Sequence, residues 1–200
     1  MSSENHYPFS CKKNISQVLK TLRKYGLAVI PNYLDKSNLV PLRNEFHNSL
    51  THQSKSIIDQ YNHPINKDGR VSTIDTYHND AIIDYPNIIT TFKDPFMDNV
   101  SKEFFFPNAY SLNKTIFCSH EKSSSKKLLP WHFDRMQSLK FWFYLNDVTK
   151  DEGAFEYSPG SHWEGKYRAG YSMLRGLRVS DIPNDIDEEL IINKTIIEMQ

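Results

Sequence analysis

His132 and Asp134 are separated by a single residue in the run Trp131-His132-Phe133-Asp134. In an extended strand successive side chains alternate between faces, so this imidazole and carboxylate would emerge on one side, roughly 7 Å apart along the backbone. Such a pair can supply two corners of a 2-His-1-carboxylate arrangement, which leaves positions open on Fe(II) for a co-substrate and oxygen. The same spacing also arises by chance, as an exposed strand His beside a solvated carboxylate, so the neighbouring residues decide its meaning. Arg135 adjoins the pair, and its planar guanidinium suits either a substrate anion or plain solvent exposure. Downstream, the corner Pro159-Gly160-Ser161-His162 carries another imidazole. That imidazole either caps a turn or stands in as a third metal ligand.

The elements that must position these residues can be read from the pattern around them. Ile15, Val18, Leu19 and Leu22 recur at helical spacing between a capping Asn14 and a terminating Gly26. Leu27 to Ile30 reads as a short buried strand ended by Pro31-Asn32. A second amphipathic helix begins near Ser37 with Leu39, Leu42, Phe46 and Leu50 on one face, provided that Pro41 lies in its first turn. From Thr51 to Asp84 the pattern fades into polar sequence, with Lys67-Asp68-Gly69-Arg70 a turn. A third helix is predicted over Pro95 to Phe105.

After Pro107 the character becomes β. Tyr110 to His120, Trp131 to Asp134, Leu139 to Leu145 and Ala154 to Ser158 read as strands. They are separated by the loop Glu121 to Lys127 and the tight turn Asp151-Glu152-Gly153. Short strands at this spacing predict a barrel or jelly roll rather than βαβ units. The expectation is a mainly β fold with flanking helices, forming one domain over residues 1–200. Residues 1–106 are expected to be mostly helical, and residues 107–200 to hold the β core. The aromatic run Phe141-Trp142-Phe143-Tyr144 must send half its members inward, so packing explains most of it. The loop Ser123 to Lys127 is a solvated hairpin tip or a lid. His47, His52, His63 and His78 lack ligand spacing and read as surface residues.

Composition excludes several classes. Lys+Arg and Asp+Glu both total 24, so no excess charge points to a nucleic-acid partner or an anionic membrane. No stretch approaches the 18 apolar residues a membrane helix needs, and the N-terminus has no apolar signal core. Two cysteines, Cys11 and Cys118, make no disulfide framework and predict a reducing, cytoplasmic setting. Although the hydrophobic fraction is only 38%, 12 Phe, 11 Tyr and 3 Trp supply large core pieces.

Taken together, WHFDR (Trp131 to Arg135) and LKFWFYLNDVTKDEGAFEYSPGSH (Leu139 to His162) resemble the phytanoyl-CoA dioxygenase family of Fe(II)/2-oxoglutarate oxygenases. The opening segment from Tyr25 to Asp35, set between two helices, is similar as well. The resemblance implies a double-stranded β-helix (jelly-roll, cupin-like) core. It also implies oxidative decarboxylation of 2-oxoglutarate coupled to hydroxylation of a small organic substrate, with Fe(II), 2-oxoglutarate and O2 taking part. His132 and Asp134 match the family's first two iron ligands. Trp142 lies where some members place an aromatic beside the 2-oxoglutarate, and Asn113 or Lys114 lies on the earlier strand that supplies a polar contact to it. His162 matches a corner His that shapes a loop.

The sequence departs from the family after His162, where no further histidine occurs. Arg168, Arg175 and Arg178 do not fit the place of the Arg that pairs with the distal carboxylate of 2-oxoglutarate. The chain therefore reads as C-terminally truncated, with a jelly roll lacking its last strands and with weak Fe(II) binding and little turnover. Two competing readings follow: a non-oxidative cupin-like metal-binding protein, and an inactive remnant that keeps a binding role. The identity of the substrate and the oligomeric state are not legible.

Overall fold

The computed structural model describes residues 8–62, 69–120, 132, 134, 137–149, 152, 154–163 and the backbone of 195–197. The chain divides into two compact units built from discontinuous segments. Unit 1 holds Met1–Tyr33, Leu129–Trp142 and Phe155–Ile197, and unit 2 holds Leu34–Leu128, Phe143–Ala154 and Glu198–Gln200.

Unit 1 begins with α1 (Ile15–Tyr25), bounded as its sequence predicts. The Asn14 side chain accepts a hydrogen bond from the Gln17 N–H at 3.0 Å, satisfying one of the donors that a helix start leaves free. Val18, Leu19 and Leu22 form the buried stripe. Gly26 ends the helix with φ 76°, and its N–H bonds the Leu22 carbonyl at 2.7 Å. Leu27 to Ile30 does not form the predicted strand. Val29 makes a single parallel bridge to Ser10, with Val29 N–H to Phe9 O at 3.0 Å and Cys11 N–H to Val29 O at 2.9 Å. Pro31 offers no N–H to prolong that ladder, and Asn32 turns the chain with φ 53°. β4 (Phe155–Tyr157) pairs antiparallel with β5 (Thr195–Ile197), in the register Phe155↔Ile197 and Tyr157↔Thr195. The Phe155 ring stacks on Tyr157 at 6.1 Å and packs against Trp142 at 5.8 Å.

Unit 2 opens with α2 (Lys36–Thr51). Pro41 is the sixth residue of α2, in its second turn rather than the first. Its missing N–H frees the Ser37 carbonyl, and both residues are exposed, so solvent can satisfy that group. The polar stretch after α2 contains an unforeseen hairpin. β1 (Ile57–Asn62), β2 (Arg70–Asp75) and β3 (Thr115–His120) form an antiparallel sheet in the order β1-β2-β3. Ile57 pairs with Ile74 and Tyr61 with Val71, with a register irregularity between Ile57 and Asp59. Ile74 in turn pairs with Ile116, and Ser72 with Cys118. Three further helices follow the hairpin and precede β3: α3 (Asn79–Asp84), α4 (Pro86–Phe92) and α5 (Pro95–Phe105). The Asp94 side chain caps α5 by accepting from the Phe96 N–H at 2.8 Å.

Leu42, Leu50, Ile74, Ile88, Ile89 and Ile116 make the centre of this unit's apolar core. Two hydroxyls share it without leaving a polar atom unmet. Ser49 Oγ donates to the Phe46 carbonyl at 2.8 Å, so the 2.9 Å contact between Ser72 Oγ and Ser49 Oγ uses the Ser72 proton. Glu45, only 8% exposed, receives the Asn87 N–H at 3.0 Å and the Ile88 N–H at 2.9 Å, and the Asn87 side-chain amide as well. It thereby caps α4 from another helix, which Tyr85 at the cap position does not do.

Apart from isolated bridges, the β content among the described residues is a three-stranded antiparallel sheet and a two-stranded ladder. Residues 139–145 carry no ladder, although a strand is predicted there. Their second half is held by side-chain contacts within unit 2: Arg43 Nε donates to the Leu145 carbonyl, and Phe143 meets Phe92 edge-on at 5.2 Å. Tyr110 to Lys114 likewise precede β3 rather than belonging to it. The predicted loop at 121–127 lies outside the described residues, as do Lys67, Asp68, Asp151 and Gly153.

Candidate metal centre

Asp134 is the most engaged of the candidate ligands. Lys140 Nζ lies 2.7 Å from its Oδ1, and Ser138 Oγ donates to its Oδ2 at 2.5 Å. Burial pushes the carboxyl up. The hydrogen bonds from Lys140 and Ser138, helped by the charge of Lys140 and by that of His132, outweigh burial and hold it below the usual carboxylate range. Asp134 is therefore an anion near neutral pH, the form a metal requires. His132 is exposed and makes one β-bridge, whereas Asp134 lies outside any strand. The pair is thus joined by one intervening residue and by electrostatics. The expected strand frame is seen only at the His132 bridge. Phe133 and Arg135 lie outside the described residues.

His162 sits elsewhere in unit 1, at the C-terminal end of α1. Its Nε2 donates to the Arg23 carbonyl at 3.3 Å, since a carbonyl can only accept. Nδ1 is buried and finds no hydrogen-bond partner among the described residues. Gly160 N–H reaches the Tyr25 carbonyl at 2.7 Å, so the corner satisfies two carbonyls that α1 leaves open. Burial pushes the His162 imidazole below its ordinary 6.5, against the opposing bond to Arg23. A Cβ on Gly26 would run into Tyr157 Oη and the His162 ring, so the space that His162 fills exists only beside a glycine.

The proposed co-substrate residues fall in different units. Trp142 belongs to unit 1, is 62% exposed and rests on Phe155. Asn113 and Lys114 belong to unit 2, just before β3. Asn113 Oδ1 accepts from the Thr115 N–H at 3.3 Å and from Thr115 Oγ1 at 3.0 Å, so its oxygen serves a local turn. Lys114 Nζ stands 5.1 Å above the Tyr77 ring.

Other histidines gain roles that their spacing did not reveal. His78 caps α3, its Nδ1 accepting from the Asp80 N–H at 3.2 Å. The rings of His47 and His120 approach to 6.1 Å between α2 and β3. Sequence reasoning also missed Ser138 and Lys140. A Lys six residues after an Asp matches no regular periodicity, so the contact between the two is a tertiary fact.

The donor chemistry at Asp134 and His132 fits a hard or borderline divalent cation, one carboxylate oxygen and one imidazole at a time. Among the described residues no group of three His, Cys, Asp or Glu side chains gathers closely enough to hold a metal ion. No helix among the described residues is long and apolar enough to cross a membrane.

An imidazole–carboxylate donor pair, set in a chain of helices and antiparallel strands, defines the class as a candidate non-haem metal protein. The sequence pattern described as phytanoyl-CoA dioxygenase matches residues 22–188, most of the chain and all of the site just described. This chain belongs to the phytanoyl-CoA dioxygenase family, whose members generally use Fe(II), 2-oxoglutarate and O2 on small-molecule substrates. No curated protein and no solved structure matches it.

Proposed function

We propose that this chain is an Fe(II)/2-oxoglutarate-dependent oxygenase that hydroxylates a small organic substrate, with His132 and Asp134 as two of its iron ligands. The family match over residues 22–188, which contains both donors, carries the reading. Iron bound there, with 2-oxoglutarate and oxygen, supplies the oxidising chemistry. The protein's own role is to bind and aim. Asp134 brings one negative charge, fixed in its ionised form by Ser138 and Lys140. His132 brings a neutral ring nitrogen. Trp142, 62% exposed, is a candidate aromatic neighbour of the 2-oxoglutarate, and Asn113 and Lys114 are candidate polar contacts to it. Arg135 is the candidate contact for an anionic substrate group. The jelly-roll core, a single domain over 1–200 and a cytoplasmic setting belong to the same reading.

The experiment is succinate formation from 2-oxoglutarate, with and without added Fe(II). With two protein donors identified, the expected result is weak Fe(II) binding and little succinate. Ample Fe(II)-dependent succinate that falls to background in His132→Ala would point to His162 or a partner chain as a third ligand. Metal binding that survives without any succinate would instead favour a non-oxidative, cupin-like metal-binding protein.

A further inference from the structure

Both oxygens of Asp134 are engaged, and the two partners differ in kind. Ser138 is a neutral donor four residues away, able to stay on Oδ2 while the other lone pairs of the carboxylate take a metal. Lys140 is a full positive charge, 2.7 Å from Oδ1, on a long side chain that is 51% exposed. An ammonium and a divalent cation on one carboxylate repel each other, and the flexible lysine has open solvent to swing into.

We infer that Lys140 is the resident counter-cation of Asp134, a positioning residue that leaves the carboxylate when a divalent metal arrives and so sets the metal affinity of the site. The inference rests on the proposed reading of His132 and Asp134 as metal ligands. It assigns a residue that the ligand pattern itself does not contain. Outer-sphere partners of metal ligands commonly raise ligand basicity, as a carboxylate does for a coordinated imidazole. Lys140 does the reverse, since its ammonium, 2.7 Å from Oδ1, competes with a metal for that oxygen. The Asp134–Lys140 pair is also neutral as a unit, so the ammonium compensates the carboxylate charge. Removing the ammonium should therefore strengthen metal binding, where loss of a supporting partner would weaken it.

Co(II), a redox-stable probe, titrated into the full chain tests this. Lys140→Met should bind Co(II) about tenfold more tightly than the parent, the lower end of the range for outer-sphere changes. Lys140→Arg, which keeps the charge, should stay near parental affinity. Lys140→Gln supplies the same neutral test if the methionine variant folds poorly. The rise in Tm at a fixed Co(II) concentration should be larger in the neutral variants, since ligand stabilisation grows with affinity. Neutral variants that bind Co(II) no better than the parent, while Asp134→Ala abolishes binding, would overturn this role and leave the ligand reading standing. Absence of Co(II) binding in the parent and in both neutral variants would overturn the two together.

Discussion

His162 Nε2 donates to the carbonyl of Arg23 at 3.3 Å, tying the Pro-Gly-Ser-His corner to the end of a helix 139 residues earlier. The same corner sends the Gly160 N–H to Tyr25 O, so two open carbonyls of α1 are satisfied by one short segment. The imidazole that resembles a spare metal ligand in the sequence is here a helix cap. Its buried Nδ1 faces the bare Cα of Gly26 rather than open solvent.

Gly26→Ala should be costly for two reasons that add. The φ of 76° lies in the left-handed region, and the new methyl collides with Tyr157 Oη and the His162 ring. A loss of about 2–4 kcal/mol is expected, measured as a shift of the urea midpoint at constant slope. A change of only a few tenths would contradict the packing described for this corner.

The His162 imidazole makes stability pH-dependent in a defined direction. Its folded pKa lies below the ordinary 6.5, so between those values the unfolded chain binds more protons than the native one. The contribution is therefore complete above 6.5 and declines as pH falls through and below that value. Denaturation midpoints followed from pH 8 to 5 should fall more steeply for the parent than for His162→Gln. Parallel curves would rule out a buried neutral His162.

Glu45 holds the start of α4 from α2. Glu45→Ala leaves the Ile88 N–H buried without its acceptor and should cost about 2–3 kcal/mol, whereas Glu45→Gln, keeping one acceptor oxygen, should cost about 1 kcal/mol. Equal losses for the two variants would indicate that the charge, and not the three hydrogen bonds, stabilises the helix start.

Cys118 is 7% exposed, and burial pushes its thiol up, only partly opposed by hydrogen bonds with Ser49 and Ser72. Cys11 is also buried and also raised. A thiol reagent at pH 8 should label neither in the folded chain and both in denaturant. Rapid native labelling would show that these core positions open readily.

The legible parts of the fold are those where local signals agree. Asn14, the Val18–Leu19–Leu22 stripe and Gly26 delimit α1, and the helix predicted over Pro95 to Phe105 coincides with α5. β4 falls inside the predicted strand from Ala154 to Ser158. The β1–β2 hairpin is hidden in the sequence because β1 is exposed along five of its six residues and so shows no alternation. The apolar runs Leu27–Ile30 and Leu139–Leu145 read as strands, but strands need partners along their length. One run gains a single bridge, and the other is held by Arg43 and Phe92. Of the candidate site, His132 and Asp134 are singled out by spacing and neighbours, and their joint role is the subject of the titration below. The Asp134 partners Ser138 and Lys140 are not legible, because spacings of four and six residues outside any helix or strand follow no sequence period. The role of His162 is half legible: the sequence predicts a corner residue, but its attachment to α1 is a tertiary fact.

The most direct test of the account is a Co(II) titration of the parent, His132→Ala, Asp134→Ala and the double variant. If the two residues share one metal, each single substitution should weaken binding by at least about tenfold, and the double variant should lose little more than the weaker single, because two donors to one ion are not independent. An Asp134→Ala chain that binds Co(II) as well as the parent would contradict the assignment of this pair as the metal centre.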